Sequence, residues 1–279
     1  KNKNIKKIKN KNMENIIEQY QQDGYYLLKS ALTKDFCNLC LDKLDTMEPK
    51  VFLPFGGVPW GWGQLFNIKP FNEILKNPSL TSFVKSLYNT DKYNVNHLLV
   101  SNKVSWQGPE EMYHQEVCNI DTFGPGCDPN KDWKDFLQVF IALEDQTLEN
   151  GCLRIIKNSH KLGMLEHEDI IWNHTGHKRR VTHKELKRAY KHGGILNCEL
   201  KQGDILFFNH LLVHGSSSNQ SPFDRKAVIM QIQNTQVPKD EKVFEKYNNF
   251  RKNFFINWMK EKTNSMINNN MYADFKKTK

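Results

Sequence analysis

The stretch from residue 203 to residue 233 reads GDILFFNHLLVHGSSSNQSPFDRKAVIMQIQ, and it decides the fold. It contains two runs rich in β-branched and aromatic residues, ILFFNHLLVH and KAVIMQIQ, separated by a turn rich in Ser, Asn and Pro. Short apolar runs bounded by such turn residues are typical of β-strands. We therefore predict two strands that form a hairpin, with His214 at the end of the first and Arg225 at the start of the second.

Two earlier runs have the same character: HLLVSNKVSW, which begins at residue 97, and FLQVFIAL, which begins at residue 136. Turn residues separate the runs, among them Gly-Pro at 108–109, Glu-Asn-Gly at 149–151 and Gly-Asp at 203–204. The four runs predict a mainly β core that extends from about residue 93 to about residue 235.

Helices are predicted on both sides of this core. Ile16, Ile17 and Tyr20 recur at helical spacing, and Thr33 is a suitable N-cap for a second helix. After the core, aromatic residues at steps of three and four predict an amphipathic helix over about 240–262. Residues 1–12 are rich in Lys and Asn and are expected to form a disordered basic tail, so the predicted single domain spans 13–279.

The net charge of +9 is unevenly distributed. Residues 1–12, 177–192 and 276–279 carry +6, +6 and +3, which leaves −6 for the remainder. A mildly acidic body with basic ends does not favour a nucleic-acid groove.

No apolar run reaches the roughly 18 residues that a membrane helix needs. We expect neither nucleic acid nor membrane as a partner, and a cytoplasmic location because no secretory signal is recognisable. The sequence predicts no oligomeric state.

Six cysteines are present, and Cys37 and Cys40 form a CxxC. No second pair stands at the spacing of a zinc site. The surrounding DFCNLCLDKL has helical periodicity, which places Phe36, Leu39 and Cys40 on one face. We predict that this pair packs in the core and has neither a redox nor a metal role.

His114-Gln115-Glu116 is a candidate metal-binding sequence of the HxE type. In a strand, residues i and i+2 lie on the same face, so an imidazole and a carboxylate can bind one ion. His214 can supply a second imidazole. Two histidines and one carboxylate form a facial triad that leaves positions open on non-haem iron. Each of these residues alone also fits an ordinary structural role, and His210 is a rival ligand that lacks the glutamate of a zinc protease.

Arg225 is a candidate carboxylate-binding residue because it follows His214 across one turn. A hairpin between the two residues would bring the guanidinium back to the metal side. Arginine is always charged and offers two parallel N–H donors to a carboxylate. Ser216 or Ser221 could add a hydroxyl to the same carboxylate. Taken alone, Arg225 would more often be a surface residue of a strand.

The chain resembles the phytanoyl-CoA dioxygenase family, a branch of the Fe(II)/2-oxoglutarate oxygenases. The passages that carry the resemblance are ENIIEQYQQDGYYLLKSALTKDF, YHQE, IALEDQTLENGCLRIIKNSHKLG and GDILFFNHLLVHGSSSNQSPFDRKAV. They span roughly residues 13–232, and their combination is specific where no single passage is. The resemblance implies a double-stranded β-helix core, that is, a cupin-like jelly roll, with flanking N-terminal and C-terminal α-helices.

The resemblance also implies roles for individual residues. His114, Glu116 and His214 would be the catalytic metal ligands. Arg225 would bind the C5 carboxylate of 2-oxoglutarate with help from Ser216, and Gln138 would point into the barrel near the co-substrate. Two departures stand out. The family usually has Asp where this chain has Glu116, and Lys157-Asn158 replaces the usual Pro-Gly before Ser159-His160. His160 is therefore expected to be a structural loop residue.

The implied function is that of a dioxygenase which hydroxylates a small organic substrate and releases succinate and CO2. Its cofactors would be Fe(II), 2-oxoglutarate and O2, with ascorbate as a stimulant. Anionic compounds and acyl-CoA thioesters are candidate substrates. The basic segment 177–192 could dock such an anion, although a solvated charged helix is the favoured interpretation. Residues 52–63 could form a lid or pack the helices. A macromolecule-modifying oxygenase, a cupin-like metal protein without 2-oxoglutarate turnover and an inert binding module remain alternatives.

Overall fold

The computed structural model describes residues 2–49, 51–52, 59–63, 65–116, 136–169 and 179–234. The helices are α1 (Asn2–Asp23), α2 (Lys34–Asp45), α3 (Phe71–Ile74), α4 (Pro78–Tyr88) and α5 (His183–Gly193). The strands are β1 (Tyr25–Leu28), β2 (Val51–Phe52), β3 (Pro59–Trp62), β4 (Tyr93–Lys103), β5 (Glu111–His114), β6 (Phe136–Ala142), β7 (Leu153–Ile156), β8 (His167–Asp169), β9 (Arg179–Val181), β10 (Ile195–Cys198), β11 (Ile205–Asn209), β12 (His214–Ser216) and β13 (Arg225–Asn234).

The strands form two main antiparallel sheets. The large sheet has the order β1-β11-β6-β13-β4-β3-β2, and the small sheet has the order β10-β7-β12-β5, while β8 and β9 form a separate pair. Side chains from both main sheets share one buried cluster, which includes Phe140 and Phe208 from the large sheet and Leu153 and Ile155 from the small sheet. Two sheets packed in this way form a jelly roll, so the predicted mainly β, cupin-like fold is confirmed.

The opposite face of the large sheet is covered by helices. A second cluster joins residues of α1, α2 and α4 to the outward-facing residues of the strands. Phe83 on α4 stacks on Phe207 of β11 with ring centroids 3.8 Å apart. Because successive strand residues alternate between faces, the outer residues of the large sheet pack on the helices, and its inner residues can line a cavity.

The first helix differs from the expectation for the amino terminus. Helix α1 begins at Asn2 and therefore includes the Lys/Asn-rich segment that was expected to be disordered; lysine has a good helix propensity. The helix ends at Asp23, and Gly24 follows with a positive φ of 80°. A Cβ at Gly24 would collide with the ring of His160. His160 thus packs against the end of α1, in keeping with its expected structural role.

The CxxC lies in the core, although the buried face of α2 is not the one predicted. Cys37, Cys40 and Leu44 are buried, whereas Leu39 is 54% exposed. Burial raises the pKa of Cys37 to about 11 and that of Cys40 to about 12. Both thiols are therefore protonated and unreactive near neutral pH. The N-cap prediction is confirmed, since the Thr33 side chain accepts a hydrogen bond from the backbone N–H of Phe36.

The predicted hairpin between His214 and Arg225 is wrong. The run ILFFNHLLVH is divided into β11 in the large sheet and β12 in the small sheet, separated by a turn. Strand β13 pairs with β4 and β6, while β12 pairs with β5 and β7. Residues 217–224 therefore cross from one sheet to the other, because each strand finds its hydrogen-bond partners elsewhere in the chain.

Several expectations concern residues outside the described ranges. These are the helix predicted over 240–262, most of the aromatic stretch 52–63, and Cys118 and Cys127. None of the described helices is both long enough and apolar enough to span a membrane.

Candidate active site

Three potential metal ligands converge where β5 and β12 pair in the small sheet. His114 is the last residue of β5 and His214 is the first residue of β12, and the two are direct partners across the strand pair. Glu116 lies two residues beyond His114. One ligand atom from each of the three side chains lies within 4.8 Å of the others. The structure thus brings together the three residues that were predicted to bind the metal.

Both imidazoles are oriented by their own backbone. The Nδ1 of His114 lies 2.7 Å from Met112 O, and the Nδ1 of His214 lies 2.9 Å from Leu212 O. A carbonyl oxygen only accepts, so each Nδ1 donates its proton, and the neutral ring presents an unprotonated Nε2. Fixing the tautomer in this way is the usual outer-shell arrangement of metal-binding histidines.

The chemistry of this donor set fits a bound cation. Nε2 of His214 lies 3.1 Å from Oε1 of Glu116. When the Nδ1 of His214 donates to Leu212, a neutral His214 brings the Nε2 lone pair against a carboxylate oxygen. Such a contact is favourable only if a proton or a metal ion lies between the two atoms. One carboxylate with two imidazoles is the donor set that non-haem iron takes.

Gln115 connects the ligand-bearing segments, a role that the sequence analysis did not foresee. Its side-chain amide donates to Gly163 O at 2.9 Å and to Leu211 O at 2.6 Å, and its Oε1 accepts from Leu165 N at 2.9 Å. Leu211 lies three residues before His214. One buried side chain therefore joins the segment that carries His114 and Glu116 to the segment that carries His214. A glutamine between two candidate ligands carries no sequence signal for such a role.

Glu116 lies beyond the end of β5, so the strand periodicity used to predict it does not apply to it. Its position is set by its backbone N–H, which donates to His210 O at 3.1 Å. His210 itself is buried, and its Nδ1 lies 3.0 Å from Phe136 O. Burial lowers the pKa of His210 to about 4, although the bond to Phe136 and the charge of Glu116 oppose the shift. His210 is absent from the three-residue cluster.

A cavity extends from the candidate metal ligands to two buried cations. Lys103 at the end of β4 and Arg225 at the start of β13 are partners across the strand pair, and each is only 5% exposed. Both line this cavity together with His114, Glu116 and His214. The guanidinium thus reaches the metal side as predicted, but from the facing sheet and not through a hairpin.

Lys103 is a site residue that sequence reasoning missed. Its Nζ donates to Pro109 O at 2.7 Å, to Ser216 Oγ at 2.8 Å and to Ser217 O. Burial and then the charge of Arg225 lower the pKa of Lys103 to about 7, although Glu111 and other groups oppose the shift. Lysines are mostly exposed in proteins. Lys103 can be recognised as a site residue only from its strand pairing with Arg225 in the structure.

Arg225 is a buried cation with few partners among the described residues. One of its terminal nitrogens donates to Gly151 O at 3.0 Å, and the guanidinium lies 5.5 Å from the centroid of the Phe140 ring. The Nε has no hydrogen-bond partner in the part of the chain that the structure describes. Burial lowers the pKa of Arg225 to about 10. A buried charge with unused donors is costly unless an anion binds it.

The other predicted co-substrate residues have different positions. Ser216 lines the cavity, and because its oxygen accepts from Lys103 its own O–H can donate to a ligand. Ser221 lies in the loop 217–224, where its hydroxyl is bonded to Asn219 Oδ1 and Phe223 O. Gln138 is buried on the inner face of β6, yet it is not among the residues that line the cavity.

The described part of the basic segment forms β9 and helix α5. The helix packs through Ala189 and Tyr190 against the outer side of the small sheet, where Tyr190 contacts Tyr113 edge to face. Among the described residues that line the cavity, none belongs to α5. This position favours the interpretation of 177–192 as a solvated charged helix.

Solved structures with this architecture include 2-oxoglutarate-binding proteins. EctD from S. alaskensis, solved with 2-oxoglutarate and 5-hydroxyectoine, gives a TM-score of 0.63 at 16% identity and covers 80% of this chain and 77% of that one. The epimerase SnoN, solved with Fe3+, alpha ketoglutarate and nogalamycin RO, gives a TM-score of 0.62 at 17% identity and covers 80% and 83%. At such low identity the similarity shows the fold alone.

Sequence relatives include a phytanoyl-CoA dioxygenase 1 from Oryza sativa subsp. japonica, 27% identical over 173 residues that cover 58% of this chain and 54% of the relative. An ectoine dioxygenase from Bordetella bronchiseptica is 21% identical over 234 residues, which cover 77% and 73%. The chain spans about half the length of the first of these relatives. The family model described as phytanoyl-CoA dioxygenase (PhyH) matches residues 20–227. The chain therefore belongs to the phytanoyl-CoA dioxygenase family.

Proposed function

We propose that this protein is an Fe(II)- and 2-oxoglutarate-dependent dioxygenase that hydroxylates a small organic substrate and releases succinate and CO2. The observation that carries the proposal is the presence of two different sites in one cavity. One end holds a cluster of two imidazoles and a carboxylate, and the other end holds two buried cations. A 2-oxo dicarboxylate is a ligand that needs both sites at once.

His114, Glu116 and His214 would hold the iron. All three residues line the cavity, and a donor set of this kind would leave positions on the metal for other ligands. When bound, Fe(II) and 2-oxoglutarate supply the reductive activation of O2 that oxidises the substrate. The protein's part is to fix the ligand geometry through the bonds to Met112 O and Leu212 O.

Arg225, Ser216 and Lys103 would hold the distal carboxylate of 2-oxoglutarate. The unused donors of Arg225 offer charge-assisted hydrogen bonds. Lys103 acts through its charge, because its ammonium already donates to three protein oxygens, and it leaves the Ser216 proton free for the carboxylate. We propose no contact between Gln138 and the co-substrate, because the residue lies outside the cavity lining.

The walls between the two ends are apolar. Phe140, Leu153, Phe208 and Ile229 line the cavity between the cations and the candidate metal ligands. Such walls suit the methylene carbons of 2-oxoglutarate, and they exclude water from the reacting centre. A cupin-like metal protein without 2-oxoglutarate turnover would gain nothing from burying Lys103 and Arg225, so the oxygenase is the favoured function. A cytoplasmic location and the lack of nucleic-acid partners stay predictions.

The test is an absorption spectrum of the metal-free protein, recorded under argon as Fe(II) and then 2-oxoglutarate are added. Chelation of iron by a 2-oxo acid gives a weak metal-to-ligand charge-transfer band. We expect the band in the wild type, its loss in His214→Ala and its retention in the control His183→Ala, because His183 is exposed on α5. Bound iron without a band in the wild type would overturn the proposal.

A further inference from the structure

The inner face of the large sheet is organised in rows that run across β4, β13 and β6. Arg225 pairs with Lys103, Ala227 pairs with Ser101 and Ala142, and Ile229 pairs with Leu99 and Phe140. Because side chains two residues apart lie on the same face, the next row on this face consists of His97, Gln138 and Gln231. These three residues are called the polar row below.

The rows change in character along the inner face of the large sheet, from Lys103 and Arg225, which line the cavity, to the polar row, which lies beyond the cavity lining. The first row is cationic and the next two consist almost entirely of small and apolar side chains, whereas the polar row carries two amides and one imidazole. Asn96 lies beside it, since the irregularity in the pairing leaves Asn96 without a Cα partner and its amide donates to Gln231 Oε1 at 3.2 Å.

The polar row lies at the level of the candidate metal ligands. Gln138 is the strand partner of Phe208, and the Phe208 ring lies 4.9 Å from the ring of His214. Burial lowers the pKa of His97, and the charge of Glu116 opposes that shift. Through Phe208 the row therefore adjoins the candidate metal ligand His214, and it is separated from the cationic end by two rows.

Two buried polar atoms in this region have no hydrogen-bond partner among the described residues. They are Nε2 of Gln138, which is a donor, and Nε2 of His210, which follows β11 and lies against Phe136. Gln138 is 1% exposed and His210 is 2% exposed. Because the Nδ1 of His210 donates to Phe136 O, its Nε2 is an acceptor. Buried donors and acceptors are almost always satisfied, so each of the two atoms calls for a polar partner that the described residues do not supply.

We propose that the polar row and His210 bind a neutral polar group of the primary substrate, a hydroxyl or a carboxamide beside the carbon that is oxidised. This inference rests on the proposed oxygenase function and narrows it. A hydrocarbon chain at this level would leave the Gln138 donor and the His210 acceptor unsatisfied. An anionic group would face Glu116 with no described cation in the polar row. The substrate is thus a polar, uncharged compound at its reacting end, and not the hydrocarbon part of an acyl thioester.

The test compares two substrate sets by succinate release in the presence of Fe(II), 2-oxoglutarate and O2. The polar set is myo-inositol, glucose, uridine and 2-pyrrolidinone, and the acyl set is phytanoyl-CoA, palmitoyl-CoA and palmitate. We expect a member of the polar set to stimulate succinate release above the level without substrate. Stimulation by the acyl set alone, or by neither set, overturns the proposal.

Variants separate a binding role from a structural one. Gln138→Leu is expected to raise KM for the stimulating compound about tenfold, the effect of one lost hydrogen bond, while kcat changes less. The matched control is Gln146→Leu, because Gln146 is equally buried but its amide is bonded to Glu144 O and Lys226 O outside the cavity. An unchanged KM in Gln138→Leu, or an equal change in the control, overturns the assignment.

The charge-transfer band tests the proposed function separately from this inference. Gln138→Leu should retain the band and the affinity for 2-oxoglutarate, because the polar row does not contact the cationic end. Loss of the band in the wild type overturns the oxygenase function and this inference with it. A normal band combined with stimulation by the acyl set overturns the substrate class alone.

Discussion

The inner face of the large sheet has two ends with different binding chemistry. At one end, Lys103 and Arg225 are buried cations, and the free-energy cost of burying their charges is offset only when an anion binds. At the other end, the polar row offers neutral donors and acceptors. The difference indicates that charge selects the co-substrate, whereas hydrogen bonding selects the substrate. Substitutions at the cationic end should therefore change co-substrate binding, and substitutions in the polar row should change substrate binding.

The largest expected effect is at the cationic end. Arg225→Met should weaken 2-oxoglutarate binding at least about 100-fold, or about 2.8 kcal/mol, because it removes a desolvated charged partner of the carboxylate. Anaerobic titration of the charge-transfer band measures the affinity. Arg180→Met is the matched control, since that guanidinium is exposed and pairs with Glu168 on the surface. A loss below about tenfold in Arg225→Met would contradict the assignment of the carboxylate site.

Gln115 lies between the candidate ligands His114 and Glu116 in the chain, so its loss should act on the candidate metal site. Gln115→Met removes three hydrogen bonds, one to Leu211 O ahead of His214 and two to the segment 163–165. Outer-shell changes of this kind cost roughly 10–100-fold in metal affinity, and we expect that range for Fe(II). Metal titration followed by the charge-transfer band measures it, and thermal unfolding reports the accompanying loss of stability. Normal iron affinity in a destabilised variant would leave Gln115 with only a structural role.

A smaller effect is expected for the second cation. Lys103→Met should weaken 2-oxoglutarate binding about tenfold, because Lys103 acts through its charge and through Ser216 while Arg225 supplies the direct bonds. The same titration provides the measurement, and Lys226→Met is the control because Lys226 pairs with Glu144 and Asp224. If Lys103→Met weakens 2-oxoglutarate binding more than Arg225→Met does, the proposed order of importance of the two cations is wrong.

The smallest expected effect is on the pH dependence of 2-oxoglutarate binding. The pKa of Lys103 is lowered to about 7 by burial and by Arg225. A bound carboxylate favours the ammonium form and raises this pKa, so binding takes up protons above about pH 7. Affinity should therefore be constant below that pH and fall a few-fold as pH rises to about 8.5. Lys103→Met should abolish this slope, and a slope that persists would assign the titration to another group.

Much of the candidate site could be predicted from the sequence because the chemistry lies in residue types. His114, Glu116 and His214 are a recognisable donor set, and Arg225 was predicted to face the same site. Gln115 and Lys103 could not be predicted, since their roles depend on the segments that fold against them. Gln138 was predicted to lie inside the barrel, but its level on the inner face of the large sheet follows only from its register with Gln231 and Phe208.

The sequence by itself determined the mainly β character, the helices before the core and the residues that could bind a metal and a carboxylate. Apolar periodicity and turn residues are local properties, and they suffice for that. Only the tertiary structure decided that His214 and Arg225 lie on facing sheets, because strand pairing is set by contacts far apart in the chain. It also decided that Lys103 is buried beside Arg225, because burial is a property of the packed sheets and not of the residue.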